Sequence, residues 1–263
     1  KKNFIFKSFL LIVLGGCSSL SLPPYNFFFI NFFTFSIFFI FLFKKSAQNE
    51  SKKSFFYYGW LFGFGYFSTN LYWITISLTF DKNLSFLIPI ALVVIPAFLG
   101  LFYALVTFIF HIVNKKNILS AFFLFSLLFG IIEFIRGIIL TGFPWNLIVY
   151  SFSKNLDFIS ITSIIGTYSL NLIVISFFIV PALFILRKSK KEIVVCTIFL
   201  LLPIFFILYG NFQENRYLNK AIKENSYSIR LIGSNISLDR FYNNIQTEAV
   251  IKELISISSP EKG

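Results

Sequence analysis

Glu133 and Arg136 stand three residues apart in the otherwise apolar stretch "EFIRGIILTGFPWNLIVYS" (133–151), just ahead of a bend forced by Gly142-Phe143-Pro144-Trp145. On a helix they lie about 4.5 Å apart along the axis and share a face. Two chemistries are open to them: an internal ion pair that fixes helix packing, or an arginine poised for a phosphate or carboxylate. An ionisable residue at membrane depth costs on the order of 3 kcal/mol on insertion scales and almost always faces the bundle interior.

Other residues with chemical potential carry weaker patterns. Tyr72 and Trp73 close the stretch "GWLFGFGYFSTNLYW", either as a headgroup-level aromatic belt or as one wall of a lipid-binding cleft. Cys17 follows "LIVLGG" and a basic start, Lys1, Lys2 and Lys7, the layout of a secretory signal with a lipidation site. The plainer alternative is that Gly15, Gly16, Ser18 and Ser19 let a first span pack closely; six further spans make a lipid anchor redundant. Cys196 reads as a small buried hydrophobe, and His111, near Lys115 and Lys116, as an interfacial side chain. Two cysteines and one histidine are too few for a zinc site or a disulfide framework. No cofactor or metal is expected.

The elements that hold these residues must be membrane helices. Hydrophobic residues make up 57% of the 263, with 40 Phe and a mean hydropathy of +0.80, more apolar surface than a soluble core can hide. At about 20 apolar residues per crossing, seven spans are expected at roughly 4–22, 26–43, 55–78, 84–112, 118–140, 157–186 and 193–210. The net charge of +12 does not point to nucleic acid, because it is sorted by side. Thirteen basic residues, among them Lys44, Lys45, Lys52, Lys53, Arg187 and Lys188, fall on one side, whereas the opposite loops, leaving out the C-terminal tail, hold only Lys82 and Lys154. The positive-inside rule makes the basic side cytoplasmic. The N-terminus is then cytoplasmic, and residues after about 210 lie outside.

Along the spans, Gly59, Gly63 and Gly65 offer one helix face for close approach, and Pro89 and Pro96 kink or shorten the fourth span. The stretch from Gly142 to about residue 156 is too apolar for a free loop and too broken for a span. Since non-helical backbone at membrane depth is tolerated only against protein or a wet cavity, it is expected to fold back onto the outer mouth of the bundle. Beyond the transmembrane domain (1–210) and a polar linker (211–226), residues 227–263 read as a strand, with Ile229, Leu231, Ile232 and Ile236 as its apolar positions. A helix follows, opened by Ser237 or Asp239, with Glu248 and Lys252 at i,i+4. A strand followed by a helix begins an α/β unit, too short to be a domain alone. Met is absent even at position 1, and truncation at both ends is expected.

Together these stretches resemble the apolipoprotein N-acyltransferase family of the bacterial inner membrane. "GWLFGFGYFSTNLYW" is similar to its third-span signature, "EFIRGIILTGFPWNLIVYS" to its Glu-x-x-Arg, Thr-Gly-Phe-Pro-Trp, Tyr-Ser stretch, and "IRLIGSNISLDRF" to the first strand of its nitrilase-like domain. In that last stretch Gly233-Ser234 and Ser237-Leu238 replace a Gln-Gly and a Pro-Gln common in the family. The resemblance implies an all-α polytopic bundle of seven transmembrane helices followed by the first strand and helix of an α/β nitrilase-like domain. It also implies a ping-pong acyl transfer in which a cysteine thiolate takes an acyl chain from a phospholipid and passes it to the α-amine of a diacylglyceryl-modified apolipoprotein. The family's catalytic Cys, Glu and Lys belong to the nitrilase-like domain and have no counterpart here: Glu248 and Glu253 lie on its first helix, and Cys17 and Cys196 within apolar spans. This stretch alone is therefore expected to be inactive and monomeric. Arg136, Trp145, Tyr72, Trp73 and Glu133 match the family motifs and are expected to line or brace the substrate cleft. Broken spans and midplane charge also fit a secondary transporter, although no internal repeat is visible.

Overall fold

The computed structural model describes residues 2–48, 50–114, 117–140, 142–219, 231, 233 and 247–258, with backbone alone for 2–4 and 247. They fall into two units, Lys1–Tyr217 and Leu218–Gly263.

In the first unit the long helices are α1 (Lys2–Ser19), α2 (Ile30–Ala47), α3 (Lys52–Asn70), α4 (Ile88–Val113) and α5 (Ile118–Ile138). The short α6 (Leu156–Ile159) and α7 (Thr162–Ile165) lead into α8 (Thr167–Phe178), α9 (Val180–Leu186) and the long α10 (Lys190–Leu218). Helix α3 is the hub, packed against α4 on one side and α1 on the other. Its glycines permit this: a Cβ at Gly65 would fall 2.1 Å from the Ile12 carbonyl oxygen, and one at Gly59 would fall 2.3 Å from that of Tyr103. Gly15 and Gly16 of α1 meet α3 from the other side, and Ser19 shares a 2.6 Å hydrogen bond with Thr69. The small residues around Cys17 thus pack helix on helix, as small-residue interfaces do where lipid tails compete equally with apolar side chains.

Phenylalanine fills the centre. Phe35, Phe38, Phe62, Phe125 and Phe129 are buried. Phe38 stacks on Phe62 with ring centroids 4.1 Å apart, and Phe35 meets Phe129 edge to face at 5.7 Å. Such pairs add about 0.5–1.5 kcal/mol each beyond area burial. The outward faces stay apolar too: Val93, Val94, Leu127, Leu201 and Phe205 are exposed, as lipid contact requires.

Four helical stretches among the described residues are long and apolar enough to cross a bilayer: Ile30–Ala47, Lys82–Val113, Ile118–Ile138 and Lys190–Leu218. A fifth forms if α8 and α9, bent by 41°, count together. The apolar part of α1, Ile5–Ser19, is shorter, and α3 is diluted by Lys52, Lys53, three glycines and several hydroxyls.

The seven expected spans are therefore not all matched by helices of spanning length and apolarity among the described residues, and two of them are also broken. The third does not continue as one helix to residue 78, because α3 ends at Asn70 and a 3-10 segment, Tyr72–Thr79, replaces it. There the Thr75, Ser77 and Thr79 hydroxyls each donate to the carbonyl three residues back, at 2.7 Å, local bonds that compete with α-helical geometry. A second 3-10 segment, Lys82–Leu87, precedes α4, where Pro89 sits in the first turn and Pro96 inside. The sixth span is broken as well. Gly166, at φ +77°, separates α7 from α8, and Pro181 sits in the first turn of α9 after the bend. Helix α10 runs on to Leu218, through residues expected to begin a linker.

In the second unit, α11 (Thr247–Ser258) carries the Glu248–Lys252 pair at 2.7 Å, exposed on both sides. Of the expected strand around Ile229–Ile236 only Leu231 and Gly233 are among the described residues; neither is in a strand, and Leu231 is 94% exposed instead of buried. The opening of the expected helix at Ser237 or Asp239 lies outside the described residues.

Candidate functional site

Helix α5 delivers both charges to the interior one turn before it ends. Glu133 and Arg136 are each 1% exposed, as their shared helix face predicts. The Arg136 Nε donates to Glu133 Oε2 at 2.9 Å, and Nη2 donates to the same oxygen. The other guanidinium nitrogen, Nη1, reaches past the helix end to the carbonyls of Phe143 at 2.7 Å and Trp145 at 2.9 Å. Arg136 is therefore a clamp on backbone. A planar fork with five fixed donors suits that task, which the single ammonium of a lysine would not.

The segment it clamps is the bend. Gly142 has φ +78°, the left-handed region, and a Cβ there would lie 2.5 Å from the Gly137 carbonyl oxygen. The chain then turns back so that the Phe143 amide donates to the Arg136 carbonyl at 2.9 Å. The rings of Phe67 and Phe143 flank the guanidinium at 5.3 and 5.7 Å from its carbon, within cation–π range. Beyond the bend, Leu147, Ile148 and Val149 are buried and the Val149 amide donates to Asn171 Oδ1 at 2.9 Å. The segment folds back onto the bundle as expected, with the Phe143 and Trp145 carbonyls and the Phe143 and Val149 amides among the backbone groups met by protein.

Helix α3 supplies a second anchor that residue types alone did not single out. Tyr66 Oη donates to the Asn146 carbonyl at 2.8 Å, and the Asn146 amide nitrogen donates to Asn70 Oδ1 at 2.7 Å. Asn146 itself adopts φ +61°, a conformation asparagine tolerates better than most residues. The only available signal was the presence of Tyr66 and Asn70 in an apolar helix. Tyr103 of α4 was also passed over. Its buried hydroxyl lies within electrostatic reach of Glu133, and neither it nor Glu133 Oε1 makes a hydrogen bond of ordinary geometry among the described residues.

What these anchors present is aromatic. Trp145 is 55% exposed and Trp73 39% exposed, with ring centroids 5.5 Å apart at 46°. Tyr72, beside Trp73 on the same 3-10 segment, is 53% exposed. Thus four of the five expected site residues form one connected chain: Glu133 to Arg136, Arg136 to the Trp145 backbone, and the Trp145 ring to Trp73. Tyr72 joins it only as Trp73's neighbour. Among the described residues no group of three His, Cys, Asp or Glu side chains is placed to hold a metal ion. Cys196 is buried, its thiol 3.9 Å from the Val180 carbonyl, and His111 stacks on Phe55 at 4.1 Å.

Fold and site together define a polytopic helical membrane protein in which a buried ion pair ties an aromatic bend to one end of the bundle. Residues 14–180 match the family model described as "Apolipoprotein N-acyltransferase N-terminal domain", and the chain belongs to that family. It is 31% identical over 192 residues to the apolipoprotein N-acyltransferase of Allorhizobium ampelinum, covering 70% of this chain and 36% of that protein. The protein of the same name from Rhodopseudomonas palustris is 28% identical over 262 residues, 98% of this chain and 48% of its own length. The chain thus spans less than half the length of these curated relatives.

Proposed function

We propose that this chain is the membrane part of an apolipoprotein N-acyltransferase, and that its bend presents lipid substrates to the acyl-transfer chemistry. In this reading a phospholipid gives an acyl chain to a cysteine thiolate, and the thioester is then attacked by the α-amine of a diacylglyceryl-modified apolipoprotein. Residues 1–210 form the transmembrane domain, 211–226 a linker and 227–263 the start of the nitrilase-like domain. The chain crosses the bacterial inner membrane seven times, with its N-terminus in the cytoplasm and residues after about 210 in the periplasm. The distribution of thirteen basic residues on one side supports that orientation. The protein acts as a monomer.

The observation that carries the proposal is the exposed Trp73–Trp145 pair, tied through the Trp145 carbonyl to a fully buried arginine. An indole offers an apolar face and one N–H donor, and two of them held 5.5 Å apart on a braced bend make a surface suited to gripping an amphiphile. Arg136 and Glu133 serve this surface by bracing it, and Tyr72, Trp73 and Trp145 make the contacts. The test uses the protein expressed from its native reading frame in a bacterium depleted of its own N-acyltransferase. Lipoprotein N-termini are read by mass spectrometry, and a single cysteine placed at position 154 or 188 reports the side of the membrane. Triacylated termini, with labelling from outside at 154 and from inside at 188, are expected. Diacylated termini despite normal insertion would refute the activity, and the reverse labelling would refute the orientation.

A further inference from the structure

Two separated places where helix α10 touches the rest of its unit stand out. At one, Phe199 meets Phe122 at 5.3 Å and Cys196 faces Val180. At the other, Phe206 meets Phe158 at 5.6 Å, and Gly210 passes so close to Asp157 that a Cβ would lie 2.2 Å from its carbonyl oxygen. Between and beside these contacts a groove of about 550 Å³ opens against Phe28, Phe32, Phe158, Phe177, Pro203 and Ile207. Its walls are mostly apolar, with Asn26, Ser151 and Asn155 as their uncharged polar members and Lys154 as the cation that lines it. Lys154 is exposed and forms no ion pair among the described residues. It is also one of only two lysines in the sparsely charged loops, so a cation at this spot is not part of a general basic surface. No residue of the groove belongs to the Trp73–Trp145 surface.

The geometry points to a structural phospholipid: one acyl chain of a glycerophospholipid lies in this groove between α10 and the bundle, with its phosphate on Lys154. Charge and shape select that occupant together. A mostly apolar slot lined by a single cation complements an amphiphile with one anionic group at the head of a chain. A free phosphate would leave the slot empty, and a neutral diacylglycerol would leave the lysine unmatched. Such a lipid completes the interface between α10 and the bundle, and it acts as a fixed part of the fold with no turnover. The inference needs only the membrane location of the chain and does not depend on the acyl-transfer reading.

The experiment uses the whole purified chain in detergent, titrated with dioleoyl-phosphatidylglycerol, with dioleoylglycerol or with inorganic phosphate. Retained lipid is counted by native mass spectrometry and unfolding followed thermally. One phosphatidylglycerol per chain, with a raised Tm, is expected; dioleoylglycerol and phosphate should do neither. Lys154→Glu should weaken retention at least tenfold and Ile207→Trp, which fills the groove, should abolish it, while Lys82→Glu leaves it unchanged. Should a variant fail to fold, wild-type protein carrying a phosphatidylglycerol with a photoreactive acyl chain decides the matter, with crosslinks expected in peptides around 152–158 and 203–207. Equal retention of dioleoylglycerol, indifference to both variants, or crosslinks elsewhere would each overturn the proposal. Crosslinks confined to peptides with Trp73 and Trp145 would overturn it while leaving the proposed function standing.

Discussion

Removing either partner of the Glu133–Arg136 pair should strongly destabilise the bundle, and the burial of both sets the scale. Both partners of the ion pair are 1% exposed, so the exposed-pair figure of about 0–1 kcal/mol does not apply. Breaking a buried pair by deleting one partner costs about 3–5 kcal/mol, because an uncompensated charge stays behind. The two deletions are not equivalent. In Glu133→Ala, Arg136 cannot shed its proton and keeps only its carbonyl partners. In Arg136→Ala, the carboxyl can protonate, but the bonds to the Phe143 and Trp145 carbonyls go too, at about 1.5–3 kcal/mol for each hydrogen bond to a charged group. A double-mutant cycle separates the shared term, for which about 2 kcal/mol or more is expected. The assay is reversible unfolding of the purified protein in mixed micelles, followed by Trp fluorescence. A cycle term below about 0.5 kcal/mol, with both single variants near wild type, would show that the pair is solvated and that the clamp argument is wrong.

Trp145→Ala should cost no more than about 1.5 kcal/mol, the scale of one aromatic pair, because Arg136 holds the Trp145 carbonyl and alanine has that carbonyl too. Its photolabelling by phospholipid should nevertheless fall severalfold, and a large stability loss would contradict the backbone-clamp reading. Gly65→Ala should cost about 1–3 kcal/mol as an overpacked contact, since the obstructing Ile12 carbonyl is backbone; thermal unfolding measures it. Glu50 gives a pH prediction on the basic side of the membrane. Burial works to raise its pKa, but hydrogen bonds from Lys45 and Tyr58 outweigh it and hold the carboxyl below the ordinary value of 4.5. A depressed folded pKa means stability that is complete above about pH 4.5 and lost as pH falls through the lower folded value. Tm measured from pH 7 down to pH 3 should show this loss in wild type and less of it in Glu50→Gln.

Much of the site was legible in the sequence because it depends on spacing along one element. Residues three apart on a helix share a face whatever surrounds them, so Glu133 and Arg136 were placed together by the sequence, whereas their pairing with each other was decided by the structure. The phenylalanine excess and the sorting of lysines fixed the solvent as a bilayer before any contact was known. Gly142 and Pro144 likewise had to keep the helix from running on, one through its backbone freedom and the other through its missing amide; α5 in fact stops ahead of both, at Ile138. What the tertiary structure alone decided was where Arg136 spends its remaining donors. Backbone carbonyls are identical at every residue, so no pattern of side chains could mark those of Phe143 and Trp145 as its partners, or that of Asn146 as the partner of Tyr66. The same holds for the indoles of Trp73 and Trp145, which meet only because a 3-10 segment ends one helix early and a left-handed turn ends another. Helical periodicity sets the face a side chain takes, but the distance between two faces depends on how closely the glycines of α3 allow its neighbours to approach, and that is a property of the assembled bundle.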